Sequence, residues 1–131
     1  MSAQAVASWF AMHGDALFEQ NIRKPLGTTP VNVRMGETLA EHEHHFWYFN
    51  NGITGLCGSI QRLPRGAASR NHGEFHLSGL SIVNGAQTVA AIARAAKEAA
   101  PEELGARVWV RLISLEGCPP EFATQVTEAT N

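Results

Sequence analysis

Aspartate is nearly missing from this 131-residue chain, and Asp15 is the only one. Two-metal phosphoesterase centres are clamps built on carboxylates, so here one would have to draw on glutamates or on another segment of chain. No Gly-Lys-Ser/Thr follows a strand-like run, which excludes a Walker phosphate loop. No serine stands in a Gly-x-Ser-x-Gly elbow. A self-contained hydrolase has no support in these residues. A basic surplus is missing too: the formal net charge is −2, which argues against the broad positive face of many DNA-binding domains and leaves room for a local basic groove. The two cysteines, Cys57 and Cys118, lie far apart without metal-ligand spacing. They read as buried small hydrophobes and not as a disulfide. No stretch approaches the roughly 18 apolar residues of a membrane span, and the first ten residues lack the basic and apolar regions of a secretory signal. The expectation is a soluble, cytoplasmic protein with no membrane partner.

What is present is a globular composition, 44% hydrophobic and 17% charged, long enough for a core. Val6, Trp9, Phe10, His13 and Leu17 form one stripe of an amphipathic helix. Gly14-Asp15 interrupts it before a second short helix carrying Leu17 and Phe18. Pro25, Gly27 and Pro30 mark a loop, and a helix is predicted from about Asn32 to His42. Ile53 to Leu63 reads as a strand weakened by Gly55 and Gly58. Pro64 to Gly73 reads as a polar loop, and Phe75 to Val83 as a strand bent at Gly79. Val89, Ile92, Ala93 and Ala96 mark the face of an alanine-rich helix ending before Pro101. Ala106 to Leu115 alternates as a strand, and Pro119-Pro120 opens a last helix with Phe122, Val126 and Ala129 inward. The order predicts an α+β (mixed α/β) domain, a small sheet of three to four strands packed by helices.

Four groups of residues carry candidate chemistry. In Ser81-Ile82-Val83-Asn84-Gly85-Ala86-Gln87-Thr88 a strand delivers the chain to a helix N-terminus, where free N–H groups and the helix dipole favour an anion. Gly85 allows close approach, and Asn84, Gln87 and Thr88 offer hydrogen bonds. The competing reading is a capping box, Asn84 with Gln87, that satisfies the helix end without a ligand. In Phe46-Trp47-Tyr48-Phe49-Asn50-Asn51-Gly52-Ile53-Thr54, aromatics beside a polar turn suit base stacking, or else are core on one side and partly exposed on the other. Asn51-Gly52 is a turn signal because both residues tolerate positive φ. His42 and His45 at i, i+3 raise the question of a metal, but no well-spaced third ligand accompanies them. Arg23, Lys24, Arg34, Arg62, Arg65 and Arg70 are scattered positive charges, each a phosphate partner or a surface residue. No pattern specifies a cofactor.

Several of these blocks carry a family likeness. Leu17-Phe18, Asn21-Ile22-Arg23, Val31-Asn32 and Thr38-Leu39 resemble the opening of the AIPR (abortive infection, phage resistance) domain. Phe46 to Thr54 resembles its most recognisable block, Ile82 to Thr88 a second, and Val108 to Ile113 with Ala129-Thr130-Asn131 a third. The blocks cover the chain in order from about Leu17. The resemblance implies a bacterial phage-defence role. It also implies a domain that continues beyond the Ala-Thr-Asn block, so residues 1–131 are expected to be a single AIPR-like domain, either a natural short form or one truncated at its C-terminal end. The second block is also similar to the Asp-Gly-Gln-x-Arg turn of ParB/sulfiredoxin-like domains, which handle nucleotides or nucleic acid. Asn84 replaces the acid, and no arginine follows Thr88.

The leading expectation is a nucleotide- or nucleic-acid-binding core using Asn51, Thr54, Asn84, Gly85, Gln87 and Thr88, with Arg23 as a phosphate partner. Against it stand an interaction or homo-oligomerisation module without its own ligand, and a metal-dependent phosphoesterase or NTPase.

Overall fold

The computed structural model describes residues 1–18, 30–64, 73–98 and 105–130. Helix α1 (Ala3–His13) opens on Ser2, whose hydroxyl accepts the Ala5 N–H at 3.2 Å and so satisfies one free helical donor. Gly14 (φ 55°) ends it, and a 3₁₀ turn over Gly14–Phe18 drives Leu17 and Phe18 inward. Helix α2 (Pro30–Glu41) leads through a second 3₁₀ turn, Glu43–His45, into the single-turn helix α3 (Phe46–Phe49). The remaining elements are β1 (Ile53–Cys57), β2 (Ser59–Arg62), β3 (Phe75–Ser78), β4 (Ser81–Asn84), α4 (Ala86–Glu98), β5 (Val110–Ser114) and α5 (Phe122–Thr130).

The strands form one kinked ribbon plus one added strand. β1 pairs antiparallel with β4, β2 pairs antiparallel with β3, and the two registers are continuous. Gly58 and Gly79 mark the kink: the Gly58 N–H donates to the Ser78 carbonyl at 2.6 Å, and Gly79 takes φ 64°. Both strands expected from the sequence therefore break at a glycine within them. β5 lies parallel on the other side of β1, giving a three-stranded sheet in the order β4-β1-β5. A bulge between Thr54 and Gly55 leaves Val83 as the extra residue between Ile82 and Asn84.

Helices α1 and α2 pack on α4, and the sheet closes the core beneath them. Ile53, Ile82 and partly buried Val110 project into this core with Val6, Leu17, Phe18, Phe46, Val89 and Ile92. Each large apolar side chain removed from water there contributes roughly 1.5–3 kcal/mol. The chain start is tied in by pairing with the segment before β5: the Ala3 N–H donates to the Ala106 carbonyl at 2.8 Å and the Val108 N–H to the Met1 carbonyl at 2.9 Å. Ser81 Oγ donates to the Leu17 carbonyl at 3.4 Å, fixing the 3₁₀ turn to β4. The result is the mixed α+β architecture expected from the element order.

Three local expectations differ from the fold. His13 is exposed, so the α1 stripe stops at Phe10 before the chain turns at Gly14. Ala129 is exposed too, and Thr127, with half-buried Phe122 and Val126, is the buried residue of α5. His42 precedes the 3₁₀ turn instead of lying in one helix with His45, and the two rings stack with centroids 5.3 Å apart.

Candidate functional site

Two polar turns meet where β4 ends and β1 begins. Gly85 takes φ 91° and Gly52 φ 88°. A Cβ on Gly85 would lie 2.6 Å from the Gly52 carbonyl oxygen, and a Cβ on Gly52 would lie 2.7 Å from the Trp109 carbonyl oxygen. Three backbone segments are thus in direct contact, and glycine is required at both crossings. This sets Thr54 opposite Asn84 and the Gly52 turn against Gly85, with Asn51 just before that turn and Gln87 and Thr88 in the first turn of α4. Arg23 lies outside the described residues, as do Lys24, Arg65 and Arg70.

The side chain that joins the turns is Asn50, not Asn51. Asn50 Oδ1 accepts the Gly52 N–H at 2.8 Å, an Asx turn, while its Nδ2 donates to Thr88 Oγ1 at 3.0 Å and reaches Met35 Sδ at 3.2 Å. Thr88 Oγ1 also lies 3.3 Å from Asn50 Oδ1, to which it can donate, and it is buried. Asn51 is exposed and has negative φ, so Gly52 alone supplies the left-handed residue.

The capping-box expectation is overturned. Helix α4 starts at Ala86, and the Val89 N–H donates to the Gly85 carbonyl at 3.0 Å, which puts Gly85 in the cap position without a side chain. Asn84 instead donates its amide to the Thr130 carbonyl at the end of α5. The negative end of α5 therefore sits beside the positive end of α4 and offsets part of its attraction for an anion.

The sheet register adds a residue that sequence reasoning missed. Thr54 pairs with Asn84 on one side and with Arg111 on the other. Asn84, Thr54 and Arg111 thus form one polar rung across all three strands, on the face opposite the Ile53–Val110 core face; Thr54 is buried, Asn84 half-buried and Arg111 exposed. Arg111 continues an exposed row, Arg107, Trp109 and Arg111, alternating with buried Ala106 and Val108. Among the described residues neither guanidinium has a carboxylate partner, and the ion pair present is His44 with Glu43 at 4.0 Å. The alternation in Ala106 to Leu115 was legible; its exposed Arg-Trp-Arg row was the available signal.

Trp109 stacks on Trp47 with ring centroids 4.0 Å apart at 31°. Beside the pair, His44, Trp47, Tyr48, Gly105 and Arg107 line an open cleft of about 380 Å³. Glu43 borders it, its Oε2 accepting the Gly105 N–H at 3.0 Å. The Met1 ammonium donates to the Val108 carbonyl at 3.1 Å; burial, and then the positive charge of Arg107, push its pKa below the ordinary value. Among the described residues no three His, Cys, Asp or Glu side chains converge as a metal site, and no helix is long and apolar enough to cross a membrane.

The class defined so far is a small mixed α+β domain with a polar double turn at one end of its sheet. The model of the AIPR protein family matches residues 18–131, and the chain belongs to that family. Membership suggests an abortive-infection, phage-defence role. Comparison with curated proteins and with solved structures gives no match. The likeness to ParB/sulfiredoxin-like domains rests on the Asn84–Thr88 turn alone, and no comparison supports it.

Proposed function

We propose that the chain serves phage defence as a binding core that takes the phosphate of a nucleotide or nucleic acid on the face where Asn84, Thr54 and Arg111 share a rung. The observation that carries this reading is the register: Thr54 has Asn84 as one neighbour and Arg111 as the other. A guanidinium with no carboxylate partner among the described residues supplies the charge-assisted donors a phosphate requires. Asn51 is exposed in the turn that leads into β1. Gly85 and Gln87 form the adjoining entry to α4, and Thr88 acts by holding Asn50 in place. Nucleoside triphosphates titrated into the protein while the Trp47–Trp109 fluorescence is followed should give a saturable change. Arg111→Gln should weaken it about tenfold or more while the far-ultraviolet circular dichroism stays native. A wild type that responds to no nucleotide or oligonucleotide contradicts the reading.

One observation favours a second reading, an interaction module without a ligand of its own. Tyr48 and Phe49 are 79% and 72% exposed, unusual for large aromatics in a packed domain. Concentration-dependent self-association in light scattering, lost in Phe49→Ser, supports it; a strict monomer counts against the homo-oligomeric form.

A further inference from the structure

Resting on the reading that this face takes a nucleotide or nucleic acid, we infer that its ligand is single-stranded nucleic acid, with one unpaired base in the Tyr48–Arg107 cleft and the adjoining phosphates on Arg107 and Arg111. The cleft is lined by the aromatic residues His44, Trp47 and Tyr48, and Tyr48 is 79% exposed. Flat π-faces open to solvent beside a guanidinium are the elements of a stacking platform, which accepts any base because every base has a π-face. Duplex bases have their faces covered by their neighbours in the stack and cannot use it. The volume, about 380 Å³, lies at the small end of ligand sites and is sufficient for one base.

Charge assigns base and phosphate to different places. The Glu43 carboxylate borders the cleft and repels phosphate from it, while it can accept a hydrogen bond from a base N–H. Arg107 and Arg111 follow on the same exposed row with Trp109 between them, roughly 13 Å apart along an extended chain. With a chain net charge of −2, attraction is local to this row, and stacking supplies much of the affinity.

The test is fluorescence anisotropy of labelled thymidine and uridine oligonucleotides on the whole chain, with duplex DNA of the same length and ATP as competitors, over a salt series. The oligonucleotide is expected to bind more tightly than duplex or ATP, and the thymidine and uridine arms tell DNA from RNA. Tyr48→Ala, at an exposed side chain, is expected to weaken binding about fivefold or more with the salt slope unchanged. Arg107→Gln should reduce the magnitude of the log–log salt slope by about 0.7, one phosphate contact on a single strand. ATP binding as tightly as the oligonucleotide, or duplex doing so, overturns this inference and leaves the phosphate-binding reading intact. Binding unaffected by both variants overturns the cleft assignment. No binding to any of the probes overturns both.

Discussion

Asn50 and Thr88, 38 residues apart, are joined side chain to side chain, Asn50 Nδ2 donating to Thr88 Oγ1 at 3.0 Å. The bond links the turn before β1 to the first turn of α4, so the two blocks of polar residues hold each other in place. Asn50→Ala leaves the buried Thr88 hydroxyl and the Gly52 N–H without this partner, and is expected to cost about 1–3 kcal/mol. Asn51→Ala, at an exposed neighbour, is expected to stay within about 0.5 kcal/mol of wild type. Urea unfolding of the two variants checks this. Equal losses would assign the joint to the wrong asparagine.

Glycine substitutions should separate by position. Gly85→Ala puts a Cβ 2.6 Å from the Gly52 oxygen at φ 91°, adding a close contact to roughly 1–2 kcal/mol of left-handed strain. It is expected to lower the melting temperature sharply. At Gly36, inside α2, an added Cβ would meet nothing within 4 Å, and Gly36→Ala is expected to stabilise by about 0.5–1 kcal/mol. Calorimetry reads both.

The thiols should differ in reactivity and in pH dependence. Cys57 is fully buried and Cys118 half-buried. A thiol reagent is expected to label Cys118 in the native protein and Cys57 only on unfolding. Burial pushes the Cys57 pKa up. The folded state therefore keeps its proton at a pH where the unfolded thiol has lost it. Between the two pKa values the unfolded chain binds fewer protons, so stability falls as pH rises above the ordinary thiol range. Cys57→Ala should flatten that alkaline decline; an unchanged decline would place its cause in another group.

Much of the architecture was legible because it is written in local signals. The helix that became α4 announced itself through Val89, Ile92 and Ala93 at helical spacing, and all three are buried. The strand breaks at Gly58 and Gly79 were also visible, because glycine weakens a strand at the point where it kinks. The site was legible only in outline. The sequence brought attention to Asn51 and to an Asn84–Gln87 cap, whereas Asn50 forms the bond to Thr88 and Asn84 donates to Thr130. Neither fact has a local signal, since each partner lies dozens of residues away. The exposure of Arg111 could be read from the alternation of its strand, but its place next to Thr54 could not, being set by parallel pairing of β1 and β5, a register that local patterning leaves open.

The most direct test of the account compares tryptophan fluorescence titrations of wild type, Arg111→Gln and Lys97→Gln with one oligonucleotide at fixed salt. Lys97 is an exposed cation in the last turn of α4, away from the rung, and its variant makes the same change in net charge. The account predicts saturable binding for wild type and Lys97→Gln and at least about a tenfold loss for Arg111→Gln, the low end for one charge-assisted contact. Equal affinity in all three, or equal losses in both variants, would contradict a ligand held at the Asn84–Thr54–Arg111 rung.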